Sequence, residues 1–207
     1  MNANPTELTK SYSDVQCQLL FDMFNAAVSS ALPAKCIPPN LPARPKGRTV
    51  VIGAGKAAAS MSRAVEDNWD GPLKGVVVTR YGHAVACRRI NVLEAAHPIP
   101  DEAGVDAASA VLRAVSDLTR DDLVLCLLSG GGSALLPALP PGVSLADEQD
   151  LTRRLLRSGA SIGEINCVRS QVSRIRGGRL AAAAYPAKVV SLIISDVPRD
   201  IPSLIAS

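Results

Sequence analysis

The chain has 207 residues, of which 47% are hydrophobic, enough to bury one sizeable core as a single domain or as one domain of something larger. A net charge of +3 without a basic cluster indicates neither a nucleic-acid surface nor a polybasic membrane anchor. The five scattered cysteines form no disulfide or zinc pattern, and no secretory signal or apolar run of bilayer length is present, so a cytoplasmic protein is predicted.

Short apolar, β-branched runs alternate with longer helical patterns, which is typical of βαβ units around a parallel sheet. The opening segment, 12–31, is predicted to be a helix, and the proline-rich stretch 33–47 is predicted to lack regular structure. Strands buried on both faces are predicted at 49–52, 75–79, 90–94, 123–128 and 189–194. The predicted fold class is α/β: a three-layer α-β-α domain with a mostly parallel, doubly wound sheet.

Three later helices are predicted from apolar residues at helical spacing. One follows a capping Asp101, and another follows Ser144 and ends at Gly159. A third is predicted across 164–178, with an apolar stripe made of Ile165, Val168, Val172 and Ile175. Its second face carries Asn166, Arg169, Ser173 and Arg176. That polar face would line a cleft or face solvent.

The first strand leads into the glycine motif TVVIGAGKAAA. Gly53 and Gly55, followed by a small third residue, satisfy the loose dinucleotide fingerprint, in which backbone amides at a helix N-terminus bind an anion. Thr79 and Arg80 end the second strand where an acid usually binds ribose, and an arginine there suits a 2'-phosphate. A Walker loop is excluded by spacing. The Lys56 ammonium would contact the anion bound by this loop. The alternative is a tight turn between strand and helix, with the lysine exposed to solvent.

A second glycine motif follows the fourth predicted strand. Gly130, Gly131 and Gly132 lie between Ser129 and Ser133, and such a run is costly in backbone entropy unless a close approach requires it. The serine hydroxyls could bind a phosphate or a carboxylate. The alternative is a flexible or sharply turning loop.

Two further polar sites stand at strand ends. Ser195 and Asp196 directly follow the last predicted strand, where open α/β sheets bind ligands, so Asp196 is a candidate magnesium ligand or general base. A turn or cap aspartate is the alternative. His97, beyond the third strand, is interpreted as a loop histidine with a structural hydrogen bond.

Five motifs occur in a fixed order: GAGKAA, EAAHPIPDEAG, LLSGGGSALLPAL, INCVRSQVSRIRGGRLA and LIISDVPRDIPSLIAS. Together they resemble the N-terminal domain of the glycerate 2-kinases of the MOFRL family, whose bacterial members are often labelled hydroxypyruvate reductases of tartrate degradation. The resemblance covers essentially the whole chain from the first helix to Ser207. It implies that 1–207 is the N-terminal α/β domain, that the C-terminal MOFRL domain is absent from this chain, and that this chain alone would be an incomplete catalyst.

The resemblance implies ATP-dependent phosphorylation of D-glycerate to 2-phosphoglycerate, with ATP and Mg²⁺ as cofactors and no nucleic-acid or membrane partner. Matched by position, the catalytic residues would be Lys56, Asp196 and Arg169, with Asp196 also the metal ligand. The cofactor-binding residues would be Gly53, Gly55, Ser129, Gly130, Gly131, Gly132, Ser133 and Asn166.

The chain also departs from the family pattern. Where the family shows SDVxGDDP, Arg199 replaces the glycine and Ile201 replaces the second acid. Gln171, Val172 and Arg176 stand where the family tends to have histidine, leucine and lysine. A bulky residue in place of glycine could block a required backbone conformation.

Two alternatives to the kinase stay open. GAGKAA together with Arg80 would suit an NADP-dependent hydroxypyruvate reductase. A catalytically inactive truncated domain that forms a homodimer and binds anions weakly is the non-enzymatic alternative.

Overall fold

Five parallel strands form the centre of the domain in a computed structural model, which describes residues 5–201 and residue 205, with side chains from residue 13 onward except residue 198. The strands are β1 (Thr49–Ala54), β2 (Lys74–Arg80), β3 (Ile90–Ala95), β4 (Leu123–Ser129) and β5 (Lys188–Ile194). Their order across the sheet is β3-β2-β1-β4-β5. The order reverses between β1 and β4, and doubly wound sheets bind their ligands at such a reversal.

Helices cover both faces of this sheet. They are α1 (Pro5–Ser30), α2 (Pro33–Cys36), α3 (Ala58–Asn68), α4 (Glu102–Ala114), α5 (Gly132–Leu135), α6 (Leu145–Arg157), α7 (Ile162–Gln171) and α8 (Arg179–Ala183), with 3-10 turns at Pro38–Asn40 and Pro198–Asp200. Met61 of α3 packs in one core with Val51 and Leu125, while Val111 of α4 packs with Ile52 in the other. The predicted three-layer, doubly wound α/β fold is confirmed.

The burial of the strands differs between the centre and the edges of the sheet. β1 is buried along its whole length, and β4 nearly so, because helices cover both of their faces. β3 and β5 are only partly buried. The prediction of five strands buried on both faces is therefore wrong for these two strands, since an edge strand has a neighbour on one side only.

Most predicted helices are confirmed at their ends. Asp101 accepts a hydrogen bond from the Gly104 amide at the start of α4. Ser144 and Asp147 form a capping box at the start of α6, and Gly159 follows its end with a φ of +76°. The prediction for 33–47 is wrong in its first half, because α2 and a 3-10 turn form there with prolines in their first turns, where no amide is needed.

The predicted helix across 164–178 is too long. α7 ends at Gln171, and the chain then turns because the Arg174 amide donates to the Ala138 carbonyl at 2.8 Å. The predicted apolar stripe is also wrong, since Val168 is 43% exposed. Arg169, four residues after Ile165, is buried on the inward face of α7.

The first helix lies largely apart from the core. From residue 13 to residue 28 the side chains of α1 are exposed. They include the large apolar residues Val15, Leu19, Leu20, Phe21, Met23, Phe24 and Val28. Among the described helices, α1 included, none combines the length and the hydropathy that a membrane crossing needs.

Candidate functional site

A cleft of ≈ 330 Å³ opens at the carboxyl end of the sheet, beside the reversal between β1 and β4. It is lined by residues 130–132 after β4, by α6 and α7, by the last residue of β5 with residues 195–197 after it, and by His97. We refer to residues 130–132 as the glycine loop and to residues 55–58, which join β1 to the start of α3, as the lysine loop. Polar groups from four separate chain segments converge here, which is typical of a ligand site.

The backbone amides of the lysine loop are all used inside the protein. They donate from Gly55 to the Val78 carbonyl (3.1 Å), from Lys56 to the Gly130 carbonyl (2.9 Å), from Ala57 to the Ser129 hydroxyl (2.9 Å) and from Ala58 to the Gly55 carbonyl (3.1 Å). A dinucleotide fingerprint needs such amides free for a pyrophosphate. The lysine loop therefore has no free backbone amide left to bind a pyrophosphate.

The glycines of the lysine loop motif are explained by close packing against β4. A Cβ atom at Gly53 would collide with the Leu127 carbonyl, and one at Gly55 would collide with Ser129. Gly55 also has a φ of +137°. Their predicted cofactor-binding role stays a prediction, and their positions give it no support, since neither glycine lines the cleft.

The Lys56 side chain is exposed and stands at the edge of the cleft. Its Cε atom lies 3.5 Å from the point that a Cβ at Gly131 would occupy, and the His97 Nε2 atom lies 2.9 Å from that same point. Lys56 and His97 therefore flank the glycine loop. This position is compatible with the prediction that the lysine ammonium faces substrate or phosphate.

The glycine loop presents a free backbone donor. The Gly131 amide donates to no acceptor among residues 5–201, whereas the Gly130 amide continues the ladder between β4 and β5, whose last paired residues are Ser129 and Ile194. Gly131 has a φ of +86°, and a Cβ at Gly130 would collide with the Asp196 carboxylate. Ser133 is held from outside the loop, since its carbonyl accepts a hydrogen bond from Arg176 Nη2. The free Gly131 amide can donate a hydrogen bond to an oxyanion.

Asp196 lies directly after β5 and borders the cleft beside Gly130. The preceding Ser195 hydroxyl accepts the Val197 amide at 3.1 Å, which shapes the turn. No group of three or more His, Cys, Asp or Glu side chains arranged for a metal ion occurs in the part of the chain that the structure describes. Mg²⁺ commonly binds through one or two carboxylates plus substrate phosphates, and Asp196 with the adjoining glycine loop fits that pattern.

Four buried polar residues form an arginine cluster next to the cleft: Glu148 and Thr152 of α6, Arg169 of α7 and Arg176 after it. Arg169 Nη2 lies 3.6 Å and Arg176 Nη2 lies 4.0 Å from Glu148 Oε1. Burial lowers the pKa of Arg169. Burial, together with the Arg169 charge, lowers the pKa of Arg176 to about 10, so both guanidinium groups are charged at neutral pH.

His97 is a cleft residue that the sequence did not assign to the site. Burial and the charges of Lys56, Arg80 and Arg169 lower its pKa, so the imidazole is neutral at neutral pH. Its side chain forms no hydrogen bond with the residues described. The interpretation as a histidine with a structural hydrogen bond is therefore not supported.

A family model described as "Domain of unknown function (DUF4147)" matches residues 19–207. The chain belongs to this family. The resemblance drawn from the five ordered motifs is thereby confirmed, because relatives of this DUF4147 chain carry the name glycerate 2-kinase.

Three DUF4147 relatives show the extent of the similarity. An Agrobacterium vitis protein with the provisional name hydroxypyruvate reductase is 53% identical over 95% of this chain and 45% of its own length. The D-glycerate 2-kinase of Thermotoga maritima is 41% identical over 92% of this chain and 46% of its own. A crystal structure of glycerate kinase from Thermotoga maritima has a TM-score of 0.85 at 39% identity, covering 94% of this chain and 47% of that one. The chain thus spans a little under half the length of these relatives.

Several predicted site residues come together in this DUF4147 chain. Those that line the cleft are Ser129, Gly130, Gly131, Gly132, Ser133, Asn166, Arg169 and Asp196. Lys56 stands at its edge, whereas Gly53 in β1 and Gly55 at the start of the lysine loop pack against β4. The sequence analysis did not assign Glu148 and Thr152 to the site. They could have been found as two polar residues, spaced i and i+4, on the inward face of α6 between Leu145 and Leu155.

Proposed function

We propose that this chain takes part in the ATP-dependent phosphorylation of D-glycerate to 2-phosphoglycerate. One observation carries the proposal: the glycine loop, with its free Gly131 amide, lies between the Lys56 side chain and the Asp196 carboxylate at the reversal of the sheet. The names of the Thermotoga maritima and human relatives support the same reaction. Since this chain covers only 46% and 41% of the length of these two relatives, we further propose that residues 1–207 act as the N-terminal domain of such an enzyme.

Phosphoryl transfer requires mainly positioning and neutralisation of charge on phosphate oxygens. The Gly131 amide would donate a hydrogen bond to phosphate, and the Lys56 ammonium would neutralise the phosphate charge from the edge of the cleft. Asp196 would hold Mg²⁺, and ATP would supply the transferred group. Asn166 and Arg169 face the same cleft from α7, where they would orient the acceptor substrate.

The NADP-dependent reductase is the weaker proposal. The fingerprint that suggested it has no free amide in the lysine loop. Arg80, which would bind the 2'-phosphate, is exposed at the end of β2. The provisional name of the Agrobacterium vitis relative favours it.

Two measurements on the 207-residue chain separate these functions. Isothermal titration is expected to show binding of D-glycerate and of ATP with Mg²⁺, and mass spectrometry is expected to detect only slow formation of 2-phosphoglycerate when all three are present, because the chain is one domain of the proposed enzyme. Thermotoga maritima D-glycerate 2-kinase serves as the positive control. A folded chain that binds neither ligand would overturn the proposal, as would oxidation of NADPH by hydroxypyruvate in place of kinase product.

A further inference from the structure

We propose that Arg169, supported by Arg176 and Glu148, forms a subsite for the carboxylate group of a short hydroxy acid. The inference rests on the proposed function only for the choice of D-glycerate as the probe. It is derived from the charge, the hydrogen bonding and the position of the arginine cluster.

The charges of the arginine cluster do not balance. Two guanidinium groups lie against one carboxylate, and the side chains of Arg169, Arg176 and Glu148 are only 8%, 4% and 3% exposed. One positive charge is thus left in excess within a buried cluster. Because an uncompensated buried charge is strongly destabilising, such a charge is expected to be neutralised by an anion when the site works.

The hydrogen bonding is incomplete in the same place. The atoms of the cluster that lack a hydrogen-bond partner among the described residues are Arg169 Nε and Nη2, Arg176 Nε and Nη1, Glu148 Oε2 and Thr152 Oγ1, although Arg169 Nη2 forms the ion pair with Glu148 Oε1. Buried polar groups are nearly always satisfied in native proteins. Four of these six atoms belong to guanidinium groups, which can only donate, so the missing partner is an acceptor.

The side of the arginine cluster that faces the cleft identifies which arginine contacts the ligand. Arg169 and Thr152 line the cleft, and Asn166 lines it one helical turn before Arg169. Arg176 does not line it and instead donates to the Ser133 carbonyl. Arg169 is therefore the binding residue, while Arg176 and Glu148 are positioning residues that hold it relative to the glycine loop.

A carboxylate fits this subsite better than a phosphate does. A single negative charge neutralises the one excess positive charge, whereas a phosphate dianion would leave a negative excess. The guanidinium fork matches the two oxygens of a planar carboxylate. Phosphate has other donors at Lys56 and the glycine loop. His97, neutral in this environment, adds no competing charge.

The first test compares three probes on the unmodified 207-residue chain without nucleotide. Isothermal titration is expected to show D-glycerate binding at least tenfold more tightly than glycerol, in which a hydroxymethyl group replaces the carboxylate. Equal affinities, or no glycerate binding by the folded chain, would overturn the proposal. Tight binding of inorganic phosphate with none of glycerate would also overturn it and would assign the subsite to phosphate.

The second test changes the guanidinium fork but keeps its charge. Arg169→Lys is expected to weaken D-glycerate binding at least tenfold and to abolish the rise in unfolding temperature that glycerate causes in the unmodified chain. Arg154→Lys, on the exposed face of α6, is the matched control and is expected to change neither value. Arg176→Lys is expected to weaken binding as well, through the orientation of Arg169. Unchanged glycerate affinity in folded Arg169→Lys would overturn the assignment.

The outcomes separate the subsite from the kinase proposal. If glycerate binds through Arg169 and no 2-phosphoglycerate forms, the subsite stands and the kinase proposal fails. If 2-phosphoglycerate forms and Arg169→Lys leaves the KM for glycerate unchanged, the kinase proposal stands and the subsite fails.

Discussion

Arg199 adopts a left-handed backbone conformation with a φ of +66°, in the turn that follows Asp196. The conformation brings the Cβ of an L-residue close to its own backbone, and glycine avoids that contact. In the family pattern SDVxGDDP, this position is a glycine. The departure noted in the sequence therefore stores strain beside the cleft.

Arg199→Gly is expected to stabilise the domain by about 0.5 to 1 kcal/mol. Relief of left-handed strain contributes roughly 1 to 2 kcal/mol, and the greater freedom of glycine in the unfolded chain offsets part of it. Urea unfolding measures the change. Arg153→Gly, within α6, is the control and should destabilise by about 1 kcal/mol. A loss of stability in Arg199→Gly equal to that of the control would contradict the account.

If the proposed function holds, Lys56→Ala is expected to lower the rate of 2-phosphoglycerate formation about 10²-fold, because it removes the positive charge that we propose to neutralise the transferred phosphate. The free energy of unfolding should change by less than about 0.5 kcal/mol, since the side chain is exposed and the Lys56 amide keeps its bond to Gly130. Lys46→Ala, exposed before β1, is the control. Unchanged kinetics in Lys56→Ala would show that this motif is only a turn between a strand and a helix.

Two loops at neighbouring strand ends are joined at the scale of secondary structure. The Ser129 hydroxyl, at the end of β4, accepts the Ala57 amide at the start of α3. The Lys56 amide donates to the Gly130 carbonyl alongside it. The position of the glycine loop therefore depends on the lysine loop, and the two candidate motifs form one unit.

Ser129→Ala is expected to destabilise the domain by about 1 kcal/mol, because the partly buried Ala57 amide loses its acceptor, as in the loss of a helix cap. Thermal unfolding followed by circular dichroism measures this. Ser116→Ala removes an exposed hydroxyl bonded to the Arg113 carbonyl and should cost less than about 0.5 kcal/mol. Equal effects of the two substitutions would show that the inter-loop bond does not stabilise the domain.

Most elements could be predicted from local pattern. Apolar runs marked the strands, and Asp101 and Ser144 marked two helix starts, because caps and burial act within a few residues. The end of α7 could not be predicted, because apolar spacing continues through Ile175 while a tertiary bond from Arg174 to Ala138 turns the chain. The partial burial of the edge strands β3 and β5 likewise could not be predicted, because it depends on the order of the strands in the sheet.

The candidate site was predictable in part for the same reason. Lys56, the glycine loop and Asp196 each follow a strand, and the carboxyl ends of parallel strands meet at one edge. The inward position of Arg169 and its partners Glu148 and Thr152 was not predictable. Their contacts depend on how α6 packs against α7, and no local spacing specifies that packing.

A buried carboxylate links the two central strands at the other end of the molecule. Asp122, 3% exposed, accepts hydrogen bonds from the Arg48 guanidinium at 2.8 Å and from the Thr119 amide at 2.7 Å. The hydrogen bond from the Arg48 side chain contributes more than that from the Thr119 amide, and it holds the pKa of Asp122 far below its usual range. A lowered pKa gives stability that is present above the unfolded pKa, about 3.9, and is lost as the pH falls below it.

Asp122→Asn is expected to destabilise the domain by about 2 kcal/mol at pH 7, the range for hydrogen bonds to a charged group. The loss should be smaller at pH 3, so the variant's stability falls less steeply with acid. Urea unfolding at pH 7, 5 and 3 measures both effects. Asp150→Asn, in an exposed pair with Arg154, should follow the unmodified chain. If the stability of Asp122→Asn fell with pH as steeply as that of the unmodified chain, this role of Asp122 would be contradicted.

The contrast between the two loops at the cleft sets the rate at which their amide hydrogens exchange with solvent. The Lys56 and Ala57 hydrogens are held by β4 and its loop and should exchange slowly in deuterium oxide. That of Gly131, without an acceptor among the residues described, should exchange within the dead time. A ligand that occupies the glycine loop should slow this hydrogen and leave the lysine loop unchanged. Nuclear magnetic resonance of the two loops would thus report where an anion binds before any turnover is measured.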